Sequence, residues 1–432
     1  MIVNLATIYM IQNYLYLHMK ERIKDLIQEC ILEERIKRII KSQIMETISE
    51  KMYEGMGLPS SSIIPLDKFV GGQDTQSIDE IELDAPYSTL PPDELQAYLQ
   101  KTAAGKKTKM DKFKMPYIHR GNIEIKDEND RTFDLDKLRA AITQRPDSLL
   151  KRNAKLSHSG GKATVFFNLG IPALKGLAVN EKNGDFVIVD TCPGAGACKV
   201  YCYAKKGGYV QWKASSLSQT KILNFLLNDP NGFVSKLTAE LQKEFAKFSK
   251  KNVKMVVRWH DAGDFFSDDY KNVAFALARK LPDIDFYAYT KVASIANDPN
   301  KPANFKINFS AGATPEQEKQ IDFKTTKNSV VVPAPMFTDY VEKATEEIPS
   351  KKAGGKTKIE TKSVFKSPEA LVALKKKLAT RYNIPLDSIL SYEEMMNTPV
   401  GPEKKYNVIV KPGDGDDAAN RSDVLGTYLL IH

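Results

Sequence analysis

Residues 254–290 decide the fold class, and they read KMVVRWHDAGDFFSDDYKNVAFALARKLPDIDFYAYT. The runs at residues 254–259 and 285–289 are typical of buried strands. Residues 267–280 between them have the apolar spacing of a helix, with Ser267 as its predicted N-cap. A strand, a helix and a second strand of these lengths predict a crossover unit between parallel strands, and hence an α/β domain.

The same alternation continues on both sides of this unit. A strand pattern at residues 163–169 precedes a hairpin pattern with the turn Asn183–Gly184, and two helical patterns follow. Strand patterns at residues 305–309 and 329–332 extend the series. We therefore expect a partial (β/α) barrel or a mostly parallel sheet.

The rest of the chain divides by composition. Residues 1–56 have an amphipathic pattern that predicts a helical extension, with Cys30 on its apolar stripe as a core residue. Residues 57–115 are punctuated by Pro, Gly and Ser and predict a linker or loosely ordered arm. Residues 116–340 form the predicted α/β metal-site domain, and residues 341–432 a small basic C-terminal region.

Composition limits the class of protein. A chain of 432 residues with 42% hydrophobic residues buries a core without disulfides. Three of its four cysteines lie within residues 192–202, which favours ligand or redox chemistry in a reducing compartment. The apolar run at residues 1–19 is too short and too polar to span a membrane. We therefore expect a cytoplasmic protein that does not contact a membrane.

The net charge of +9 permits contact with nucleic acid, although dispersed lysines equally serve solubility. Aromatic residues such as Tyr203, Tyr209 and Trp212 could stack on bases. The N-terminal helical pattern could instead serve oligomer assembly.

The cysteines belong to the segment TCPGAGACKVYCYA at residues 191–204, directly after a strand pattern. They are Cys192, Cys198 and Cys202. Thiolates are soft ligands that suit iron–sulfur clusters or zinc, and Gly194 and Gly196 let the backbone wrap closely around a bound group. Three cysteines without a fourth protein ligand suit a [4Fe–4S] cluster with one open iron. Zinc, redox thiols and reduced core thiols are the alternatives.

Polar residues follow the strand at residues 254–259. His260, Asp261 and Asp264 would lie at the carboxyl edge of the sheet, where open α/β folds bind ligands. Asp261 could orient His260 as a base or ligand. The alternative is a helix-capping turn in which Asp264 and Ser267 accept hydrogen bonds from backbone amides.

Two further strand ends contribute candidates. Lys291 would reach the same edge and bind a carboxylate or phosphate, unless it simply faces solvent. Asn308 is a weaker candidate of the same kind. The loop at residues 157–162 lacks the nucleotide P-loop pattern, and the segment at residues 414–417 fits a plain turn better than a calcium loop.

The cysteine loop resembles that of radical S-adenosylmethionine enzymes. The wider pattern is similar to the phage "gene product 88" family, through the CPGA…C…CYA loop, an R-x-H-x-x-GDF strand end at residues 258–265 and an F-x-A-YTK strand at residues 286–291. The resemblance implies a [4Fe–4S] cluster with Tyr203 beside the last cysteine. It also implies an S-adenosylmethionine amino group bound by Asp264, with Gly263 allowing close backbone approach.

Three function hypotheses follow. The first is a phage-type iron–sulfur enzyme resembling the radical S-adenosylmethionine class, with His260, Asp261, Asp264 and Lys291 at its catalytic edge. The second is a nucleic-acid-binding protein with a structural zinc. The third is a phage structural or host-takeover factor. For a phage-encoded chain, the expected location is the host cytoplasm.

Overall fold

The computed structural model describes residues 83–85, 87–103, 114–127, 132–152, 163–205, 208–333, 339–349, 357–382, 384–397, 407–412 and 416–431. The predicted helical extension with Cys30, the loop at residues 157–162 and the lysine-rich loop at residues 350–356 lie outside these ranges. The first two residues of the segment 414–417 lie outside as well.

The strands are β1 (Tyr87–Thr89), β2 (Ile125–Asp127), β3 (Thr132–Phe133), β4 (Thr164–Leu169), β5 (Lys175–Asn180), β6 (Asp185–Asp190), β7 (Lys254–Trp259), β8 (Asp285–Thr290), β9 (Phe305–Ser310), β10 (Asn328–Pro333), β11 (Val341–Pro349), β12 (Thr357–Phe365), β13 (Ile389–Ser391), β14 (Asn407–Pro412) and β15 (Val424–Ile431).

The helices are α1 (Pro92–Ala103), α2 (Leu135–Thr143), α3 (Cys198–Tyr201), α4 (Gly208–Gln211), α5 (Lys213–Asn228), α6 (Pro230–Ser249), α7 (Asp268–Lys280), α8 (Ala293–Ala296), α9 (Pro315–Glu318), α10 (Pro368–Tyr382), α11 (Tyr392–Asn397) and α12 (Asp416–Ala419). Short 3-10 turns occur at Arg120–Asn122, Tyr203–Lys205 and Leu386–Ser388.

Eight strands form one parallel sheet in the order β4–β7–β8–β9–β10–β15–β14–β13. This confirms the predicted α/β class and the mostly parallel sheet. Strands β4 and β13 are the two edges, and no pairing between them closes the sheet within the described part of the chain. The sheet is therefore open.

Strand β7 shows why these segments read as continuously apolar. Met255, Val257 and Trp259 face the helices α5, α6 and α7, and the alternate residue Val256 faces the opposite side with Phe166 of β4. A strand covered on both faces has no solvent-facing side to keep polar. The Ser267 hydroxyl accepts a 3.2 Å hydrogen bond from the Tyr270 amide and caps α7, as the sequence predicted.

A smaller antiparallel sheet, ordered β1–β6–β5, contains the predicted hairpin. Within the segment predicted as a linker, residues 87–103 form β1 and α1. Leu95 and Leu99 of α1 are buried against Phe186 of the hairpin. Their four-residue spacing gives α1 one apolar stripe.

The C-terminal region contributes β11 to β15. Strands β13, β14 and β15 complete the large sheet, α10 packs against them, and β11 and β12 form an antiparallel pair. Strand β15 inserts next to β10, so its partner lies far away in sequence. Within the described ranges, no helix is long and apolar enough to cross a membrane.

Candidate functional site at the carboxyl edge of the sheet

The carboxyl ends of β4, β7, β8 and β9 lie along one edge, because these four strands are parallel neighbours. The segments that leave this edge are residues 170–172, 260–264, 291–292 and 311–314. Ligands bind at such an edge in open α/β folds. The strand that precedes the cysteines is β6, however, which belongs to the small antiparallel sheet.

Backbone hydrogen bonds bring the cysteine loop to this edge. The Thr191 carbonyl accepts a 2.8 Å hydrogen bond from the Asp264 amide, after β7. Further along, the Cys198 amide donates to the Gly312 carbonyl at 3.0 Å, after β9. The loop is therefore anchored at both ends to residues that follow strands of the large sheet.

Two glycines permit this contact. A Cβ atom on Gly194 would lie less than 3.0 Å from the Lys291 carbonyl oxygen, and one on Gly196 would lie equally close to the Ala313 carbonyl oxygen. We predicted that these glycines allow close approach to a bound group. In the structure, the space that a side chain would need is occupied by the backbone of the strand ends.

A buried glutamate holds the turn that receives the loop. Glu318 of α9 accepts hydrogen bonds from the Gly312 amide at 2.7 Å and from the Ala313 amide at 3.1 Å. Burial raises the pKa of this carboxyl group, and the two amides oppose the rise. Glu318 thereby fixes the surface on which the cysteine loop lies.

The three thiols influence one another. Burial raises the pKa of the Cys192 thiol far above its usual value, and repulsion from charged Cys198 and Cys202 adds to the rise. Burial also raises the pKa of Cys202, while the ammonium of Lys291 acts in the opposite direction. The Cys192 sulfur accepts a 3.2 Å hydrogen bond from the Leu174 amide. The three sulfur atoms therefore lie close enough for the charge of one thiolate to shift the pKa of another.

Among the described residues, no group of three or more His, Cys, Asp or Glu side chains is arranged to hold a metal ion. The three cysteine residues are free thiols on one loop.

A buried polar cluster adjoins the loop. The Asp261 carboxylate accepts hydrogen bonds from the Asn168 side-chain amide at 2.7 Å and from the Tyr209 hydroxyl at 3.3 Å. The Tyr203 hydroxyl donates to the Asp261 carbonyl oxygen and accepts a 3.2 Å hydrogen bond from the Arg258 guanidinium. Tyr203, predicted to contact a cofactor, thus links the cysteine loop to the end of β7.

This cluster contains acceptor atoms without donors. Oδ1 of Asp261 and Oδ1 of Asn168 are buried, and neither accepts a hydrogen bond from another residue in the described part of the chain. Gly170 leaves space beside the first of these oxygens, where a Cβ atom would collide with it. A buried acceptor without a partner is costly. The cluster can therefore accept hydrogen bonds from the donor groups of a bound molecule.

Asp264 is engaged by the backbone. Its carboxylate accepts hydrogen bonds from the Phe265 amide at 2.7 Å and from the Lys291 amide at 2.8 Å. Burial raises its pKa to about 6 despite these donors. Its contacts are those of the capping turn that we considered as the alternative. They support a positioning role, since the residue ties the end of β7 to the end of β8.

Lys291 and Asn308 are also held by the protein. The Lys291 ammonium donates to the Ser310 hydroxyl at 2.6 Å and to the Ala311 carbonyl at 3.2 Å. The Asn308 side-chain amide donates to the carbonyls of Ala288 and Ala419, each at 3.2 Å. The Lys291 side chain therefore joins the ends of β8 and β9, and the Asn308 side chain joins β9 to β8 and to α12.

Position 263 requires glycine because of its backbone conformation and because of a neighbouring side chain. Its φ of 82° lies in the left-handed region, which favours glycine. A Cβ atom there would also lie less than 3.0 Å from the Ile171 side chain. The close approach that we predicted for Gly263 is therefore made to the segment after β4.

The family model described as "Gene product 88" matches residues 148–381, which is more than half of the chain. The chain belongs to the gene product 88 family. Curated relatives are the "Gene 88 protein" of Mycobacterium phage D29, 31% identical over 160 residues, and that of Mycobacterium phage L5, 32% identical over 143 residues.

These alignments are partial. They cover 35% and 32% of this chain and 60% and 53% of the D29 and L5 proteins, so the chain spans little more than half of each relative. No solved structure matches the chain. The gene product 88 match includes the cysteine loop and the carboxyl ends of β4, β7, β8 and β9, so the whole candidate site lies in the family region.

Sequence analysis missed several residues of this gene product 88 site. Asn168 is a polar residue in an otherwise apolar strand, a signal that could have identified it. Arg258 was part of a quoted motif but received no role. Glu318 and Gly312 gave no local signal, because their importance comes from the contact between α9 and the cysteine loop.

His260 of this gene product 88 member is a buried, neutral residue. Its Nε2 atom lies 2.8 Å from the Tyr270 hydroxyl, and its φ is 68°. Burial lowers its pKa from the usual 6.5 to about 3, and the positive charge of Arg258 adds to the effect. His260 therefore remains uncharged at neutral pH, and its role as a base or ligand stays a prediction.

We predict that His260 makes folding stability depend on pH. Below pH 6.5 the unfolded chain binds a proton at this residue, while the folded chain does not until about pH 3. The folded state therefore loses stability as the pH falls through this window, by about 1.4 kcal/mol per pH unit or about 2 kcal/mol between pH 6.5 and pH 5. Urea unfolding at pH 8 and pH 5 measures the loss.

His260→Asn is the matched variant, since asparagine tolerates a positive φ and does not titrate. We expect the destabilisation caused by this substitution to be about 2 kcal/mol smaller at pH 5 than at pH 8. An equal destabilisation at both pH values would show that His260 is protonated in the folded protein.

Proposed function

We propose that this chain is an iron–sulfur protein in which Cys192, Cys198 and Cys202 hold a [4Fe–4S] cluster. The observation that carries this proposal is the attachment of one three-thiol loop to the carboxyl edge of the parallel sheet, through the contacts of Thr191 and Cys198. The edge is the usual place for ligands in this fold class.

The chemistry of the three donors supports the proposal, although their side chains are not arranged around a metal ion in the described part of the chain. Thiolates are the ligands of iron–sulfur clusters, and the chain places three of them on a loop held by backbone contacts. Burial and mutual repulsion keep Cys192 protonated in the free loop. Because a bound metal cation stabilises thiolates, cluster binding would remove both the thiol protons and the repulsion. The ammonium groups of Lys205 and Lys291 partly oppose the rise in the pKa of Cys202 that burial causes.

When bound, the cluster would supply one iron without a protein ligand, for electron transfer or for a cosubstrate such as S-adenosylmethionine. The surrounding residues have separate roles in this proposal. Asp264 and Lys291 hold the ends of β8 and β9 in register with the loop. Asp261 and Asn168 each have a buried oxygen that accepts no hydrogen bond from the described residues, and these oxygens would accept from donor groups of the bound molecule.

The enzyme class that we propose is radical S-adenosylmethionine chemistry, on the basis of the resemblance of the loop and the open parallel sheet. The alternative is a structural zinc bound by the same cysteines in a nucleic-acid-binding or phage structural protein. Zinc and iron–sulfur clusters both bind soft thiolate ligands, so the ligand type does not distinguish zinc from iron.

Anaerobic purification with iron, sulfide and zinc analysis tests the proposal. We expect iron and sulfide in equal amounts, with thiolate-to-iron absorption bands. Cys198→Ala should remove most of both elements, because it deletes one of three ligands. The absorption spectrum and metal content are recorded for the two proteins side by side.

Cys30→Ala is the matched control, since Cys30 is the one cysteine outside the loop. It should keep the full iron content. Zinc in place of iron would overturn the cluster and favour the zinc alternative. Equal iron content in Cys198→Ala and in the parent protein would exclude this residue as a ligand. If iron is found, cleavage of S-adenosylmethionine by the reduced protein tests the enzyme class.

The domain boundaries at residues 56, 115 and 340 and an oligomer through residues 1–56 stay predictions. We also propose the host cytoplasm as the location, because free thiols persist in a reducing compartment.

A further inference from the structure

An exposed aromatic surface lies beside the candidate site. Tyr117, Tyr203 and Trp212 are 44%, 48% and 65% exposed, and the neighbouring Val200 is 81% exposed. Large apolar side chains gathered in this way on a surface mark an interaction site more often than isolated ones do. We call these four residues the aromatic surface.

Three members of the aromatic surface, Tyr117, Tyr203 and Trp212, are linked through residues of α4. The Tyr117 hydroxyl donates a 2.7 Å hydrogen bond to the carbonyl of Val210 in α4. The Tyr203 ring packs against the Tyr209 ring of α4, with centroids 5.6 Å apart. Trp212 follows α4 directly, and its ring lies over Gly208, 3.2 Å from the position of a Cβ atom there. Helix α4 therefore holds the three aromatic rings of the aromatic surface together.

The chain segment that carries Val200, Tyr203 and Trp212 has charges of one sign. Residues 191–228 contain five lysines and no aspartate or glutamate. They are Lys199, Lys205, Lys206, Lys213 and Lys221. Lys199 and Lys213 are exposed, and they adjoin Val200 and Trp212 in the chain. Such an arrangement attracts a polyanion and offers flat apolar rings to it.

We propose that the aromatic surface binds single-stranded nucleic acid. Unpaired bases stack on exposed rings, and the phosphates between them pair with lysines. A duplex keeps its base faces stacked internally, so it would use the lysines but not the rings. An acidic protein segment would likewise use the charge and leave the rings without planar partners.

The position of the surface connects it to the candidate site. The Tyr203 hydroxyl donates to the carbonyl oxygen of Asp261, whose carboxylate belongs to the buried polar cluster. A strand bound on the aromatic surface would therefore pass the carboxyl edge of the sheet. The inference does not depend on which metal the cysteines hold, because none of its contacts involves a thiol.

The chain offers an internal reporter of binding. It has two tryptophans, and Trp212 is 65% exposed whereas Trp259 is fully buried at 0%. Stacking of a base on Trp212 should quench its fluorescence and leave the signal of Trp259 unchanged. Titration of the full-length protein with oligo(dT) and oligo(rU), in parallel with a duplex of the same length and with polyglutamate, measures affinity and preference. Metal content is determined on the same preparation.

Two variants test the two parts of the surface, with anisotropy of labelled oligonucleotides as the readout. Trp212→Ala should weaken binding about tenfold or more, since one base–aromatic stack contributes about 1–3 kcal/mol. Trp212→Phe should restore most of the affinity. Lys213→Ala should reduce the slope of log affinity against log salt by about 0.7, the value for one phosphate contact on a single strand.

The matched controls are Val372→Ala on α10 and Lys243→Ala on α6, which replace exposed residues elsewhere and should bind normally. Loss of affinity in Trp212→Ala, restored in Trp212→Phe, with single strands preferred over duplex and polyglutamate, supports the proposal. Equal binding of duplex or polyglutamate, unchanged affinity in Trp212→Ala, or no binding at low salt overturns it. The metal analysis of the same preparation tests the cluster separately, because none of these binding results depends on the metal content.

Discussion

Gly196→Ala is expected to release the cysteine loop from the sheet edge. A Cβ atom at this position would lie less than 3.0 Å from the Ala313 carbonyl oxygen. Because that oxygen belongs to the backbone, no side-chain rotation relieves the collision. The loop or the turn at residues 311–314 must move, and overpacking of this kind costs about 3 kcal/mol.

The displacement should be visible in two measurements. Urea unfolding should show the loss of stability, and titration with a thiol reagent should show faster reaction of Cys192, which is half-buried in its present position. We also expect a lower iron content in the purified protein, because a displaced loop no longer presents its three thiols together.

Gly184→Ala is the matched control. Gly184 has a φ of 77° in the hairpin turn, and a Cβ atom added there meets nothing within 4 Å. Its replacement should cost about 1 kcal/mol from backbone conformation alone and leave thiol reactivity unchanged. If Gly196→Ala behaved like Gly184→Ala in both measurements, the close contact between the loop and the sheet edge would be wrong.

Asp264→Ala is expected to destabilise the protein by about 3–5 kcal/mol. The substitution deprives the amides of Phe265 and Lys291 of a charged acceptor inside the protein. Hydrogen bonds to a charged group contribute about 1.5–3 kcal/mol each, and buried donors left unpaired add their desolvation cost. Urea unfolding at pH 8, where the carboxyl group is ionised, measures the effect.

Asp264→Asn separates positioning from ligand binding. The asparagine oxygen can accept one of the two hydrogen bonds, while its amide group faces the other donor, so an intermediate loss of stability is expected. A residue that served only to contact a ligand would leave stability unchanged in both variants. Normal stability in Asp264→Ala, combined with loss of cosubstrate binding, would therefore replace the positioning role with the predicted ligand contact.

The sequence alone predicted the part of the fold that depends on local pattern. The apolar runs of β4, β7, β8 and β9 and the helical spacing of α7 follow from burial on two faces of a sheet and on one stripe of a helix. The turn Asn183–Gly184 indicated the hairpin because the backbone preferences of these two residues alone favour a tight turn between strands. The three-motif resemblance predicted the family, and the family match confirms it.

Pairing between distant segments was not predictable in the same way. Nothing in the local pattern of residues 424–431 indicates that β15 pairs with β10 on one side and β14 on the other. Parallel partners are set by packing over the whole sheet, and each strand is compatible with many neighbours. The buried role of α1 was obscured for the same reason, since its partner is the hairpin β5–β6.

For the candidate site, the sequence by itself determined which residues lie at the edge, because strand ends and motif spacing are encoded locally. The tertiary structure alone decided what those residues contact. It engaged Asp264, Lys291 and Asn308 with residues of neighbouring segments and buried His260 as a neutral side chain. Asp261 and Asn168 each keep one buried oxygen that accepts no hydrogen bond from the described residues. The physical reason is that burial and hydrogen-bond partners are supplied by segments distant in the chain, and these determine whether a polar side chain supports the fold or remains available to a ligand.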